Sequence, residues 1–286
     1  MPPLYPKMRE RPLGCRINYA SPLYDGLLIL ALPELSSNPH SLAFKTTLRS
    51  GGYGQAQNVN ADQFTVWAEP IRRFGWRFPN VGGNRLVCSD SIGLTNGLAS
   101  FTIGCVACPL EAGGGANPKL FGNGYVSPIS FFYADKGLSG PYVFVNGTSV
   151  GPGVSGHVYG SWNFHYAVYK PDGTHVVKNG IEYGPGSYNG VVSTASYNFV
   201  IGERPDADNR WFGGIITDVV LWSKPISRRF LVELTDRTNI DLRVANIPLI
   251  LPPRRRYWPV AEAPPTVQIF SRRQFGPRIG SRQVQV

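Results

Sequence analysis

The chain has 286 residues, of which 42% are hydrophobic and 12% aromatic, with 33 Gly, 25 Pro and a formal net charge of +10. That length holds one large domain with appendages, and the Gly and Pro content favours many short strands and turns over a helical bundle. No apolar run reaches transmembrane length, and no P-loop, G-x-S-x-G or G-x-G-x-x-G occurs, which removes a membrane span and the commonest nucleotide-binding and hydrolase signatures.

The charge is uneven along the chain. Residues 1–16 carry four basic side chains against one acid (+3), and residues 251–286 carry seven Arg against Glu262 (+6). The long middle, 17–250, is left at +1. Basic ends on a near-neutral domain point to a partner of opposite charge. The opening MPPLYPKMRERPLG is basic and proline-rich without an apolar core, so it reads as an extended arm rather than a signal peptide. Gly26 to Leu32 is a continuous apolar run, suited to a strand buried on both faces. Residues 36–60 read as polar, Gly-rich loops, and Gln63 to Trp67 as a strand. In Pro70 to Phe78, aromatics at Phe74, Trp76 and Phe78 alternate with Arg73 and Arg77. Such interleaving can stack nucleic-acid bases, but period two is better explained by a strand with Arg on its outer face.

Four cysteines occur: Cys15, Cys88, Cys105 and Cys108. Cys105 and Cys108 form a lone C-x-x-C inside a strand-like run, without the second pair that a zinc site needs, so buried reduced thiols are expected. Gly97 to Pro109, Asn117 to Ala134 and PYVFVNG supply further strands, and residues 111–117 a flexible loop. Gly160 to Asp236 has the strongest pattern. Trp162, Phe164, Tyr166 and Val168 alternate with Asn163, His165, Ala167 and Tyr169, which predicts a strand with one face on a core. Pro171-Asp172-Gly173 predicts a turn, and Asn179-Gly180 a type I′ hairpin, since both of its central residues need positive φ. Asn198 to Gly202 and Gly214 to Trp222 are two more apolar runs. Ser227 is a candidate helix N-cap, followed by an apolar face of Phe230, Leu231 and Leu234. From Leu242 onward seven prolines favour an extended chain.

The order W-x-F-H-Y-A-V-Y, D-G, N-G-I, F-V-I-G and F-G-G-I-I-T-D-V-V-L-W-S-K-P-I-S resembles a laminin-G-like, concanavalin A-like jelly roll. The opening Ile17, Asn18, Pro22, Leu23, Gly26, Leu27, Leu32 and Glu34 resembles members of that family found in bacteriophage genomes. The resemblance implies an all-β, two-sheet sandwich over residues 15–241 with one short C-terminal helix, flanked by basic arms at 1–14 and 242–286. It also makes His165 a structural residue and gives Asp218 the place of an acidic residue in the last strand, with Arg210 or Lys224 as its partner. Phe230 stands where the family often has Glu, so the helix start lacks the usual capping box.

Glycosidases on this fold carry paired carboxylates, usually E-x-D-x-E on one strand, and none is present; Glu182 and Glu233 are isolated. The chain is therefore expected to be non-enzymatic, with no catalytic residue. The resemblance implies a bacteriophage virion structural protein: a capsid decoration or minor capsid protein, or a tail or fibre component. It would assemble in the host cytoplasm, as a homo-oligomer, among neighbouring virion proteins. Arg254, Arg255, Arg256, Tyr257, Trp258, Arg272, Arg273 and Arg278 are the candidate partner-binding arm, since Arg favours bidentate pairing. Contact of that arm with DNA is the weaker reading. Trp211 and Tyr188 are candidates for binding a host-surface glycan. Asp206, Asp208 and Asn209 form an oxygen-rich loop suited to Ca²⁺ as a cofactor. The alternative is a carbohydrate-binding lectin module, and behind it a glycoside hydrolase.

Overall fold

The structure, a computed structural model, describes residues 16–31, 33, 43–46, 53–58, 64–68, 73–80, 82, 85–88, 91–115, 118–124, 128–134, 139–205, 210–235 and 250–251. All of them belong to one unit, Met1–Pro253. In chain order the strands are β1 (Arg16–Ile17), β2 (Leu27–Ala31), β3 (Ala43–Thr46), β4 (Tyr53–Asn58), β5 (Phe64–Ala68), β6 (Arg73–Phe78), β7 (Leu86–Cys88), β8 (Phe101–Pro109) and β9 (Lys119–Gly122). They continue with β10 (Ile129–Ala134), β11 (Ser139–Val145), β12 (Thr148–Ser149), β13 (Asn163–Lys170), β14 (Gly173–Lys178), β15 (Ile181–Tyr183), β16 (Phe199–Ile201) and β17 (Gly214–Trp222). The helix α1 (Arg228–Thr235) and β18 (Ile250–Leu251) complete the described elements.

The strands form an antiparallel two-sheet jelly roll. One sheet runs β4-β3-β2-β17-β8-β13-β14-β15, and the other β12-β11-β10-β9-β16-β7-β4. β4 belongs to both: Gln55 pairs with Ala43 of β3, and the next residue, Ala56, pairs with Cys88 of β7. β17 also changes partner along its length, from β6 at Gly214–Ile216 to β2 at Val219–Trp222. The register on β8 slips between Thr217 and Val220, and Asp218 has φ 51° there. A bulge at the point where the neighbour changes re-aims the strand without breaking it.

The first sheet is buried on both faces. Ile103, Cys105, Ala167, Tyr169, Val176, Val219 and Leu221 face the core between the sheets. Leu30, Tyr166, Val168, Val177, Val220 and Trp222 face outward, where Leu23, Ile226 and Leu231 cover them. The expected double burial of the Gly26–Leu32 run holds over Leu27–Ala31. β13 departs from its one-faced expectation because α1 and the turn around Leu23 close its second face; Trp222 Nε1 donates to the Leu23 carbonyl at 2.6 Å.

Local chemistry explains the joints. Asn179 and Gly180 take φ 48° and 81°, as a type I′ turn requires. The Asn179 side chain also accepts the Phe164 N–H at 2.9 Å, fixing the start of β13. Helix α1 begins directly after Ser227, whose carbonyl accepts the Leu231 N–H at 3.0 Å. In β6, Trp76 and Phe78 are buried and Arg77 exposed, an ordinary strand rather than a base-stacking platform. Cys88, Cys105 and Cys108 are buried free thiols, as expected for the two of the C-x-x-C. Lys224, one proposed partner of Asp218, instead pairs with Asp25. Among the described residues, no helix is long and apolar enough to cross a membrane.

Candidate functional site

The antiparallel order brings the end of β6, the start of β7, the end of β8 and the start of β17 to one end of the sandwich. Gly214 pairs with both Phe78 and Pro109 there. Described residues of three connections meet at this end, 79–80 with 82 and 85, 110–115 with 118, and 202–205 with 210–213, together with the approach to β13. They are tied through their backbones. Leu110 N donates to Gly213 O at 2.9 Å, Gly114 N to Trp211 O at 2.9 Å, Phe212 N to Gly202 O at 2.8 Å and Gly160 N to Pro109 O at 2.7 Å.

Trp211 lies at the centre of this end. Its indole Nε1 donates to Asn80 Oδ1 at 2.9 Å. The ring rests on glycine backbone: a Cβ at Gly114 would overlap the indole, and one at Gly82 would stand 3.1 Å from Cζ3. Glu203, buried, reaches the same spot, its Oε1 3.7 Å from that Gly82 position. Arg85 closes the side, with Nη1 donating to the Arg204 carbonyl at 3.3 Å. Around Pro109, Leu110 is 39% exposed, Val158 62% and Tyr159 37%. The arrangement offers aromatic and aliphatic surface beside an amide, a guanidinium and one buried carboxylate. That is the mixture that holds a sugar, with its C–H face on a ring and its hydroxyls on fixed polar groups.

Trp211 and Tyr188 are both half-buried, and they are not neighbours. Tyr188 stacks on Tyr169 with centroids 4.8 Å apart, and Tyr169 pairs with Phe101 at the start of β8. β8 is nine residues long, so the two candidates stand at opposite ends of a strand about 27 Å in length. Around Tyr188, the 184–198 connection is tied by side chains: Asn146 Oδ1 accepts from Ser193 N at 2.8 Å, and Asn96 Oδ1 from Ala195 N at 2.8 Å. Asp206, Asp208, Asn209, Cys15 and the whole arm set Arg254, Arg255, Arg256, Tyr257, Trp258, Arg272, Arg273 and Arg278 lie outside the described residues. Among the described residues, no group of three His, Cys, Asp or Glu is placed to hold a metal ion.

Sequence reasoning missed Tyr159, Val158, Leu110 and Asn80. The one local signal was an apolar Val-Tyr pair directly before a glycine with φ 79°. Elsewhere, His175 and Glu182 meet across the β14–β15 hairpin (Nδ1 to Oε1 3.0 Å) and share Arg228 of α1. That group pins the helix start to the sheet.

No protein-family model matches the chain, and no curated protein matches it in sequence. Solved structures do match in fold. Trypanosoma rangeli sialidase in complex with 2,3-difluorosialic acid, a covalent intermediate, aligns at 17% identity and TM-score 0.52 over 73% of this chain and 32% of that one. The same sialidase without that ligand in its description aligns at 16% and 0.52 over the same shares. The binding domain of botulinum neurotoxin DC in complex with rat synaptotagmin II aligns at 12% and 0.50, over 73% of this chain and 51% of that one. The chain thus spans about a third of the sialidase length. The expectation of a non-enzymatic chain is corrected by this likeness, because the sandwich is one that sialidase chains carry. The chain has a two-sheet jelly-roll fold like that of these sialidase and toxin binding-domain structures.

Proposed function

We propose that the chain binds carbohydrate, through the end of the sandwich built around Trp211. The observation that carries this reading is the seating of Trp211. It is fixed by Asn80 and two glycines, with Tyr159, Val158 and Leu110 exposed around the neighbouring Pro109. A ring held in place beforehand loses little freedom on binding, so its contact area goes into affinity. A like-folded sialidase bound to 2,3-difluorosialic acid accords with a sugar as ligand. The test is an array of sialylated and neutral oligosaccharides probed with the full chain and with Trp211→Ala. The reading expects binding by the parent and loss of at least tenfold in the variant, as for a central aromatic contact.

A second reading rests on the charge partition, +3 at residues 1–16 and +6 at 251–286 against +1 between them. Basic, proline-rich arms suit docking on neighbouring subunits, because prolines reduce the freedom lost on binding. In this reading the sandwich is carried on a bacteriophage virion by its arms, with the glycan surface outward. Removing 245–286 then abolishes incorporation into particles; full occupancy by the truncated chain rejects it.

A further inference from the structure

The connection from β12 to β13, residues 150–162, brings Val158 and Tyr159 to the Trp211 end, and it is held from inside the sandwich. His157 of this loop is buried and stacks on His165 of β13, with centroids 5.4 Å apart and planes 9° from parallel. His165 meets the edge of Phe131 from the opposite sheet at 6.2 Å. Lys178, which pairs with His165 across β13 and β14, is buried too, and its Nζ donates to Ser155 O at 3.0 Å. On the β11 side the loop is tied by Gly140 N, which donates to Val154 O at 2.5 Å. Behind His165 stand Cys105 of β8 and, acting on that thiol, Asp218 of β17. Three basic side chains therefore meet beneath one loop, and two of them hold it down.

Two neutral imidazoles stack without penalty. A proton on His157 sets a cation against a second imidazole and the Lys178 ammonium, where little water screens it. The relief available is outward movement of the loop, since β13 and β14 are fixed by their ladders. We propose that the His157–His165 stack is an acid-released latch, and that protonation of His157 frees residues 150–162 and withdraws Tyr159 from the binding surface. The effect on ligand rests on the Trp211 end being that surface; the loop release does not. Burial and Lys178 lower His157 from 6.5 to about 4 in the closed form, so the open form takes the proton first. The open-to-closed ratio then rises roughly 30-fold from pH 7.5 to pH 5.

Amide hydrogen exchange on the full chain, read as protection factors, tests this. The latch predicts that 150–162 loses roughly 30-fold protection between pH 7.5 and 5 through a local opening, while β8 and β17, which exchange through global unfolding, remain the better protected at both values. His157→Gln, which cannot take the proton, gives equal protection at both values. Unchanged protection in the parent chain, or the same loss in the variant, overturns the latch. Should the variant not fold, an NMR titration of the parent decides: a depressed His157 pKa with the amides of 150–162 shifting in step with its protonation supports the latch, and a His157 pKa near 6.5 or amides that do not move with it rejects it. The oligosaccharide array, read at both pH values, separates the two ideas. Loop release with no sugar bound at either pH supports the latch and rejects the binding surface. Trp211-dependent binding with a loop that stays closed does the reverse.

Discussion

Trp211 has its indole N–H committed to Asn80, so it presents a ligand with ring area rather than a donor. Its position depends on the absence of a side chain at Gly114, where a Cβ would overlap the indole. Gly114→Ala is expected to displace the ring, to cost about 1–3 kcal/mol of stability by denaturant titration, and to weaken sugar binding with it. The buried thiols behave in the opposite way to reactive ones. Burial pushes Cys88 up to about 12 and Cys108 to about 11, and raises Cys105 as well. A thiol reagent at pH 8 should leave all three unlabelled in the native protein and label them once it is unfolded, as peptide mass spectrometry would show. Burial lowers both His157 and His165 below their ordinary value in the folded state, so the unfolded chain binds more protons as pH falls below 6.5. Stability should therefore be full above about pH 7 and decline from there through pH 4, with thermal midpoints falling in step. Trp211 was legible as a candidate because it is an aromatic in a turn-rich stretch. Tyr159 was not, because its place is set by Pro109, fifty residues earlier, through the bond from Gly160.

Elements with local causes were readable from their residues. The Asn179-Gly180 turn follows from two positive-φ demands, and the helix start follows from Ser227. Less readable was what covers each face. β13 shows period two, yet both faces are buried, since Tyr166 and Val168 meet Leu231 of α1 and Leu23 of the opening turn. Neither cover is near β13 in sequence, so alternation alone suggested solvent. Leu231, fully buried in that outer cluster, is expected to lose about 2–5 kcal/mol on Leu231→Ala, measured by denaturant unfolding. The bulge at Asp218 was likewise hidden, because it answers a change of neighbour from β6 to β2 rather than any local signal.

At the scale of the molecule, the jelly roll was legible from the order of its strands and turns, and the grouping of its candidate residues was not. Antiparallel pairing sends Trp211 to the Pro109 end of β8 and Tyr188 to the Phe101 end, a separation that spacing in sequence does not encode. One end thus holds a fixed indole among exposed apolar side chains. At the other, Tyr188 is stacked into the core and Asn146 and Asn96 tie the chain above it. Tyr197, exposed in that second region, serves as the control for the first. The most direct measurement is titration of the full chain and of Trp211→Ala, Tyr159→Ala and Tyr197→Ala against the oligosaccharide array, with circular dichroism to confirm folding. The account predicts saturable binding that falls at least tenfold in the Trp211 and Tyr159 variants and is unchanged in the Tyr197 variant. Binding that survives both of the first two substitutions, or no binding by the parent chain, would contradict it.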